Sequence, residues 1–320
     1  MTRLINRFFL ITVCACLAPA LVAAQGRGGP QSANLRQATQ AMREGRTADA
    51  LTLVREEVKA NPTSTAAASL LDTLGASTEA RVVFQRAIDA ATDPAAKAQA
   101  QRAMAMSYAF SGDCNNAVKL EQMVITYWAS REQDDPQNAF FQQGEIANEA
   151  ARVCIDSGAL DTAEYWYRQG TELGLKEPGN QTHPKSLWEF RLAHALGRLA
   201  ARRGNAAEAQ RQIAAARAAL ESDPTMAADQ ERFFPYLVGY VALYTNDLKT
   251  AETQLTKAIG LQGNQNDPFM LALLAMTYEK LEQPDKAKEF YQRAYDAATG
   301  HNPPAAFVRP FAKKKLNLAH

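Results

Sequence analysis

One spacing recurs seven times in this chain of 320 residues and leaves few folds open to it. A small residue is followed by Gly or Asn seven positions on, by Ala at twelve, by a large residue at sixteen and usually by a small one at nineteen. The copies run through Ala38, Gly45, Ala50, Val54 and Glu57; Ala68, Gly75, Ala80, Phe84 and Ala87; Ala105, Gly112, Ala117, Glu121 and Val124; and Ala151, Gly158, Ala163, Tyr167 and Gly170. Three more follow through Gly197, Gly204, Ala209, Ile213 and Ala216; Gly239, Asn246, Ala251, Leu255 and Ala258; and Ala275, Glu282, Ala287, Tyr291 and Ala294. Such self-similarity marks a repeat array, in which each unit is one supersecondary element that buries its apolar face only against its neighbours.

Each part of the unit has a mechanical reason. Small residues at the first and twelfth positions let two antiparallel helices approach closely, and Gly or Asn between them supplies the left-handed conformation that ends the first helix. The large residue and the small one after it share a helical face and form the seam to the next helix. Pro62, Pro136, Pro224 and Pro268 fall between hairpins, where a proline in a first turn costs no hydrogen bond. Glu57 and Glu121 stand at usually apolar positions, and Glu282 stands in place of the turn glycine.

The pattern resembles the tetratricopeptide repeat (TPR) family, most completely at Leu274-Ala275, Tyr278, Ala287, Tyr291 and Ala294. The resemblance implies an all-α, right-handed superhelical solenoid of about seven antiparallel helix-turn-helix repeats over residues 31–300, with its first helices lining a concave groove that receives a peptide. Successive twelfth-position alanines are 30, 37, 46, 46, 42 and 36 residues apart, so the middle copies are enlarged. Asp135-Pro136, Pro184 and Asp223-Pro224 start long helical patterns ahead of them, which predicts extra turns on those first helices. Residues 301–320 form a C-terminal cap: His301-Asn302-Pro303-Pro304 breaks the array, and Ala305 to Lys315 reads as a short helix with Phe307 and Phe311 on one side and Lys313-Lys314-Lys315 as its polar outer face.

The other end carries an address. Arg3 and Arg7, the apolar run from Phe8 to Val22 and Val22-Ala23-Ala24 have the layout of a secretory signal over residues 1–24, and the run is short for a membrane span. A lipoprotein acylation site at Cys16 is the weaker reading, because the apolar run continues past it. Gly-rich residues 25–30 read as a flexible tether. The expected location is exported, periplasmic or secreted. With 35 Lys and Arg against 34 Asp and Glu, the chain lacks the basic excess of a general nucleic-acid or membrane-surface binder, and no integral membrane insertion is expected once the signal is cleaved.

Motifs for catalysis are missing: there is no G-x-S-x-G elbow, P-loop, H-E-x-x-H or Gly-rich dinucleotide turn. His183, His194, His301 and His320 have no metal-ligand spacing, so no catalytic residue, metal or cofactor is expected. Asn180-Gln181-Thr182 fits a glycosylation sequon of little weight. Outside the signal only Cys114 and Cys154 remain; they fall at the same edge of adjacent repeats and read equally as a disulfide or as two buried thiols.

Arg191, His194, Arg198 and Arg202 form one helical stripe, and one repeat later Phe233, Tyr236, Tyr240 and Tyr244 form another. Side by side in a groove they suit a carboxylate-bearing, partly apolar ligand. The opposing reading buries the aromatic stripe against the following repeat, with Glu145 and Asp156 free to pair with the arginines. The expected function is a non-enzymatic interaction scaffold or adaptor of the cell envelope that binds a protein or peptide segment in the concave groove. The alternative is a carbohydrate or cell-wall binding module using the aromatic and Arg stripes; an enzyme would have only His194 to work with.

Overall fold

The computed structural model describes residues 32–179 and 182–318. The signal, the tether, Asn180 of the sequon and His320 lie outside the described residues.

Seven helical hairpins follow one another. They are α1 (Ala33–Arg43) with α2 (Thr47–Ala60), α3 (Thr65–Thr73) with α4 (Ser77–Ala90), α5 (Pro94–Phe110) with α6 (Cys114–Ala129), and α7 (Pro136–Ser157) with α8 (Leu160–Gly174). Next come α9 (Lys185–Arg202) with α10 (Ala206–Ser222), then α11 (Pro224–Gln230), a 3₁₀ turn and α12 (Phe234–Tyr244) with α13 (Leu248–Gly260), and α14 (Pro268–Lys280) with α15 (Pro284–Ala297). A last helix, α16 (Pro303–Lys315), follows. No strand occurs among the described residues, and none of their helices is long and apolar enough to cross a membrane.

The repeat spacing builds each hairpin in the same way. All seven turn residues, Gly45, Gly75, Gly112, Gly158, Gly204, Asn246 and Glu282, have φ between 57° and 90°. The residue after each turn donates to a carbonyl five positions back, as from Asp113 to Tyr108 and from Gln283 to Tyr278, which closes a Schellman motif. Glu282 therefore takes the glycine geometry at some conformational cost. The small residues on either side meet at the helix crossing: Ala38, Ala68, Ala105, Ala151 and Ala275 pack there with Ala50, Ala80, Ala117, Ala163 and Ala287, all nine-tenths buried or more. Asp93, Asp135, Asp223 and Asp267 cap first helices whose opening residue is proline.

The enlarged middle copies have two forms. The α7 and α9 helices are single rods of 22 and 18 residues. The run from Asp223-Pro224 is broken instead, because Pro235 has no N–H to continue the helix across Phe233 and Phe234. Between the long rods sits Trp188, fully buried; a Cβ on Gly174 would lie 2.2 Å from its ring, so only glycine fits there.

The capping helix does more than cover the last hairpin. It packs on α14 and α15 and also reaches α5 and α7. Arg309, 6% exposed, donates from Nε to the Thr73 carbonyl at the end of α3 (2.6 Å) and from Nη1 to the Tyr295 and Ala298 carbonyls at the end of α15. Both are helix C-termini, where a cation is favoured. Just ahead of the helix, His301 Nε2 lies 3.0 Å from Asp72 Oδ2, and Ser107 donates to the other carboxylate oxygen. The imidazole stacks on Phe110. Among the described residues, Lys315 of the lysine run pairs with Glu279.

Candidate functional site

Repeat register decides which residues of the first helices look inward. Counted from each hairpin's leading small residue (Ala151, Gly197, Gly239), positions −6, −3, +1 and +5 share one helical face. On α7 these are Glu145, Asn148, Arg152 and Asp156; on α9, Arg191, His194, Arg198 and Arg202; on α12 and the 3₁₀ turn before it, Phe233, Tyr236, Tyr240 and Tyr244. Acidic and amide groups, then basic groups, then aromatic rings thus stand on three successive first helices.

Contacts run along these rows. Arg191 pairs with Glu145 and lies over the Trp188 ring. Arg198 donates to the Tyr236 hydroxyl (3.3 Å), the Tyr167 hydroxyl (3.1 Å) and the His194 carbonyl (3.4 Å). Arg202 donates to the Tyr240 hydroxyl and covers the Tyr244 ring. Arg152 holds Asp156 at 3.0 Å, and its guanidinium lies 4.0 Å from the centroid of Phe269 on α14. That last contact joins hairpins three apart, so the first-helix side curves strongly inward.

This curvature corrects the open double stripe expected from sequence. Tyr236 and Tyr240 are 6% and 0% exposed, because Phe269 packs against both. They offer no ring face on which a sugar could stack. Arg198 and His194 are buried too, while Arg191, Arg202, Phe233 and Tyr244 are half-buried. Of the eight stripe residues, Arg191, His194, Arg198 and Phe233 line a cavity of about 240 Å³ between α7 and α9. Arg202, Tyr236, Tyr240 and Tyr244 form the packed layer beside it. Glu145, Asn148, Arg152, Tyr167, Phe190 and Gln230 complete the lining. Arg152 went unnoticed in the sequence, although it stands one place after Ala151 as Arg198 does after Gly197.

Burial first, and then the charges of Arg198 and Arg152, push the His194 imidazole well below its ordinary pKa; a hydrogen bond to the Phe233 backbone acts the other way. The ring is neutral at pH 7. Burial raises the Asp156 carboxyl, against the pull of Arg152. Two polar atoms of the lining are buried and lack a partner, Arg152 Nη2 and His194 Nε2. Among the described residues no group of three or more His, Cys, Asp and Glu is gathered as for a metal ion. Cys114 and Cys154 are joined by a disulfide that ties α6 of the third hairpin to α7 of the fourth.

A family model described as tetratricopeptide repeat matches residues 270–301, which span most of α14 and all of α15. No curated protein matches the chain. Among solved structures it is similar to one titled "Crystal Structure of P58(IPK) TPR Domain at 2.5 A", with 13% identity over 89% of this chain and 97% of that chain and a TM-score of 0.26.

Proposed function

We propose that this chain is a non-enzymatic interaction scaffold of the cell envelope or exterior, which holds a segment of a partner protein at the cavity between α7 and α9. The observation that carries the reading is the inward grid of the middle first helices. It gathers arginines, an imidazole and aromatic rings around one opening, while α16 covers the first-helix side at α5 and α14. Seven hairpins in one register, one of which matches a tetratricopeptide repeat model, supply a scaffold whose specificity resides in such inward residues. Export is supported by the layout of residues 1–24 and by the Cys114–Cys154 bond, since disulfides persist in oxidising compartments.

A displayed library of random peptides, selected on the purified disulfide-intact chain, tests this. Selected peptides are expected to bind the parent and to lose at least tenfold in affinity with Arg191→Glu, which keeps its helical circular dichroism. A library that yields no binder, or binders indifferent to Arg191, overturns the reading.

A further inference from the structure

Another cavity, of about 980 Å³, opens between α16 and the turn edge of the second hairpin. Its size is that of a ligand cleft. None of the inward residues of α7, α9 and α12 lines it, so it stands apart from the opening described above. Its charged lining is one-sided: Arg55, Arg81, Arg309, Lys313 and Lys314 against Asp72 and Glu79.

Partners inside the fold take up both acids and two of the cations. Glu79 accepts from Arg55 through both oxygens (2.9 and 2.8 Å), and Asp72 is met by Ser107 and His301. Arg309 spends its donors on main-chain carbonyls. That leaves Arg81, Lys313 and Lys314. Arg81 is half-buried, donates to the Ser111 hydroxyl (2.9 Å) and lies 4.8 Å from the centroid of the Tyr108 ring. Asp113, whose carboxyl is held low by the Asn116 hydrogen bonds first and by the Arg81 charge after them, does not line the cleft. Lys313 is half-buried beside the turn between α3 and α4, its Nζ 4.0 Å from where a Cβ on Gly75 would stand, and Lys314 is exposed. Among the described residues neither amine has an acidic partner. Three cations from α4 and α16 thus share one cleft, where low-dielectric walls focus their field on whatever enters. The first turn of α4, which no side chain caps, adds to that field.

The rest of the lining sorts the anions. Leu51, Leu74 and Leu318 are apolar, and Leu318 is 38% exposed. These leucines, with Glu79 and Asp72 among them, suit an unbroken run of phosphates poorly, and the chain has no basic excess for nucleic acid. We infer that this cleft is a second docking site, which holds an acidic segment of a partner protein: its carboxylates meet Arg81, Lys313 and Lys314, and an apolar side chain between them covers Leu318. The inference goes beyond the reading of the cavity between α7 and α9 and does not need it.

The test selects a displayed library of random peptides on the Arg191→Glu chain, which keeps the other opening out of play. Selected peptides are expected to carry Asp or Glu on both sides of an apolar residue and to weaken steeply between about 0.1 M and 1 M salt. Lys313→Glu with Lys314→Glu should cost them at least tenfold in affinity with helical circular dichroism unchanged. Lys249→Glu with Lys257→Glu, the same change of charge outside the cleft, should cost less than a third of that. No binder, binders without the acidic bias, or an equal loss in both double variants overturns the inference. So does a single-stranded DNA of about 16 nucleotides that binds as tightly as the peptides and needs the same lysines, since the cleft would then read phosphates.

Discussion

Two places on the first-helix side bury polar groups to a similar depth and treat them in opposite ways. Where α16 meets α3, Arg309 binds three main-chain carbonyls and Asp72 is met by Ser107 and His301. No side chain of that seam is among the buried orphans of the described residues. At the cavity between α7 and α9, His194 is buried and Arg152 half-buried, and each keeps one buried atom unmatched. A network whose members are all satisfied holds a fold together, whereas atoms left unmatched in a low-dielectric interior cost stability.

Removing the link between these regions should give the largest effect. The disulfide joins the hairpin that α16 grips to the helix that carries Glu145, Asn148 and Arg152 of the cavity, and it closes a loop spanning 40 residues. Cys114→Ala with Cys154→Ala should lower stability by about 4 kcal/mol on the chain-entropy model. Chemical denaturation is expected to show two transitions where the parent shows one. A change below about 1 kcal/mol would mean that the link constrains little in the unfolded chain.

Arg309→Ala attacks the satisfied side of the comparison. Three carbonyls lose their donor, and an expected loss on the order of 3 kcal/mol follows. Hydrogen exchange should speed up first in residues 303–315 and at the end of α3. Unchanged protection there would show that apolar packing alone seats the helix.

Glu121 sharpens the comparison, because it is an orphan without a cavity. It fills the large-residue position of the third hairpin, is fully buried, and neither carboxylate oxygen has a partner. Burial, and then the neighbouring Glu149, push its pKa well above the ordinary carboxylate value, against the opposing pull of Arg102. A folded pKa raised above the unfolded one gives stability that is fully present below about pH 4.5 and is lost as pH rises toward the folded value. Glu121→Leu should therefore raise stability by about 2 kcal/mol at pH 8 and much less at pH 4, measured by denaturation at both. A fall at pH 8 would show that the carboxylate has a role the packing does not reveal.

The sequence made the hairpins legible because their requirements are local. A small residue, a turn residue and an alanine at fixed intervals decide the crossing, and Asn246 and Glu282 obey the same geometry as the glycines. The inward rows were legible for α9 and α12, where basic and aromatic residues recur. On α7 only Glu145 and Asp156 stood out, as possible partners of the arginines, while Arg152 hides between an amide and an acid. Burial of Tyr236 and Tyr240 depends on how far the array curves, a sum of small rotations that no single repeat encodes. The return of α16 was hidden for another reason. Its contacts join residues 229 and 236 positions apart, and such pairs leave no periodic trace.

That return alters how the chain can be completed. An open repeat array adds units one after another, each finished once its neighbour is in place. Here the Thr73 carbonyl and the carboxylate of Asp72 wait for Arg309 and His301, which follow them by 236 and 229 residues. Synthesis from the N-terminus therefore leaves the second hairpin unfinished until α16 has been made, and a product truncated before His301 leaves Phe110 uncovered by that ring. The early repeats thus keep a missing contact until α16 docks, so a fragment that lacks it declares itself to any factor that binds exposed apolar surface.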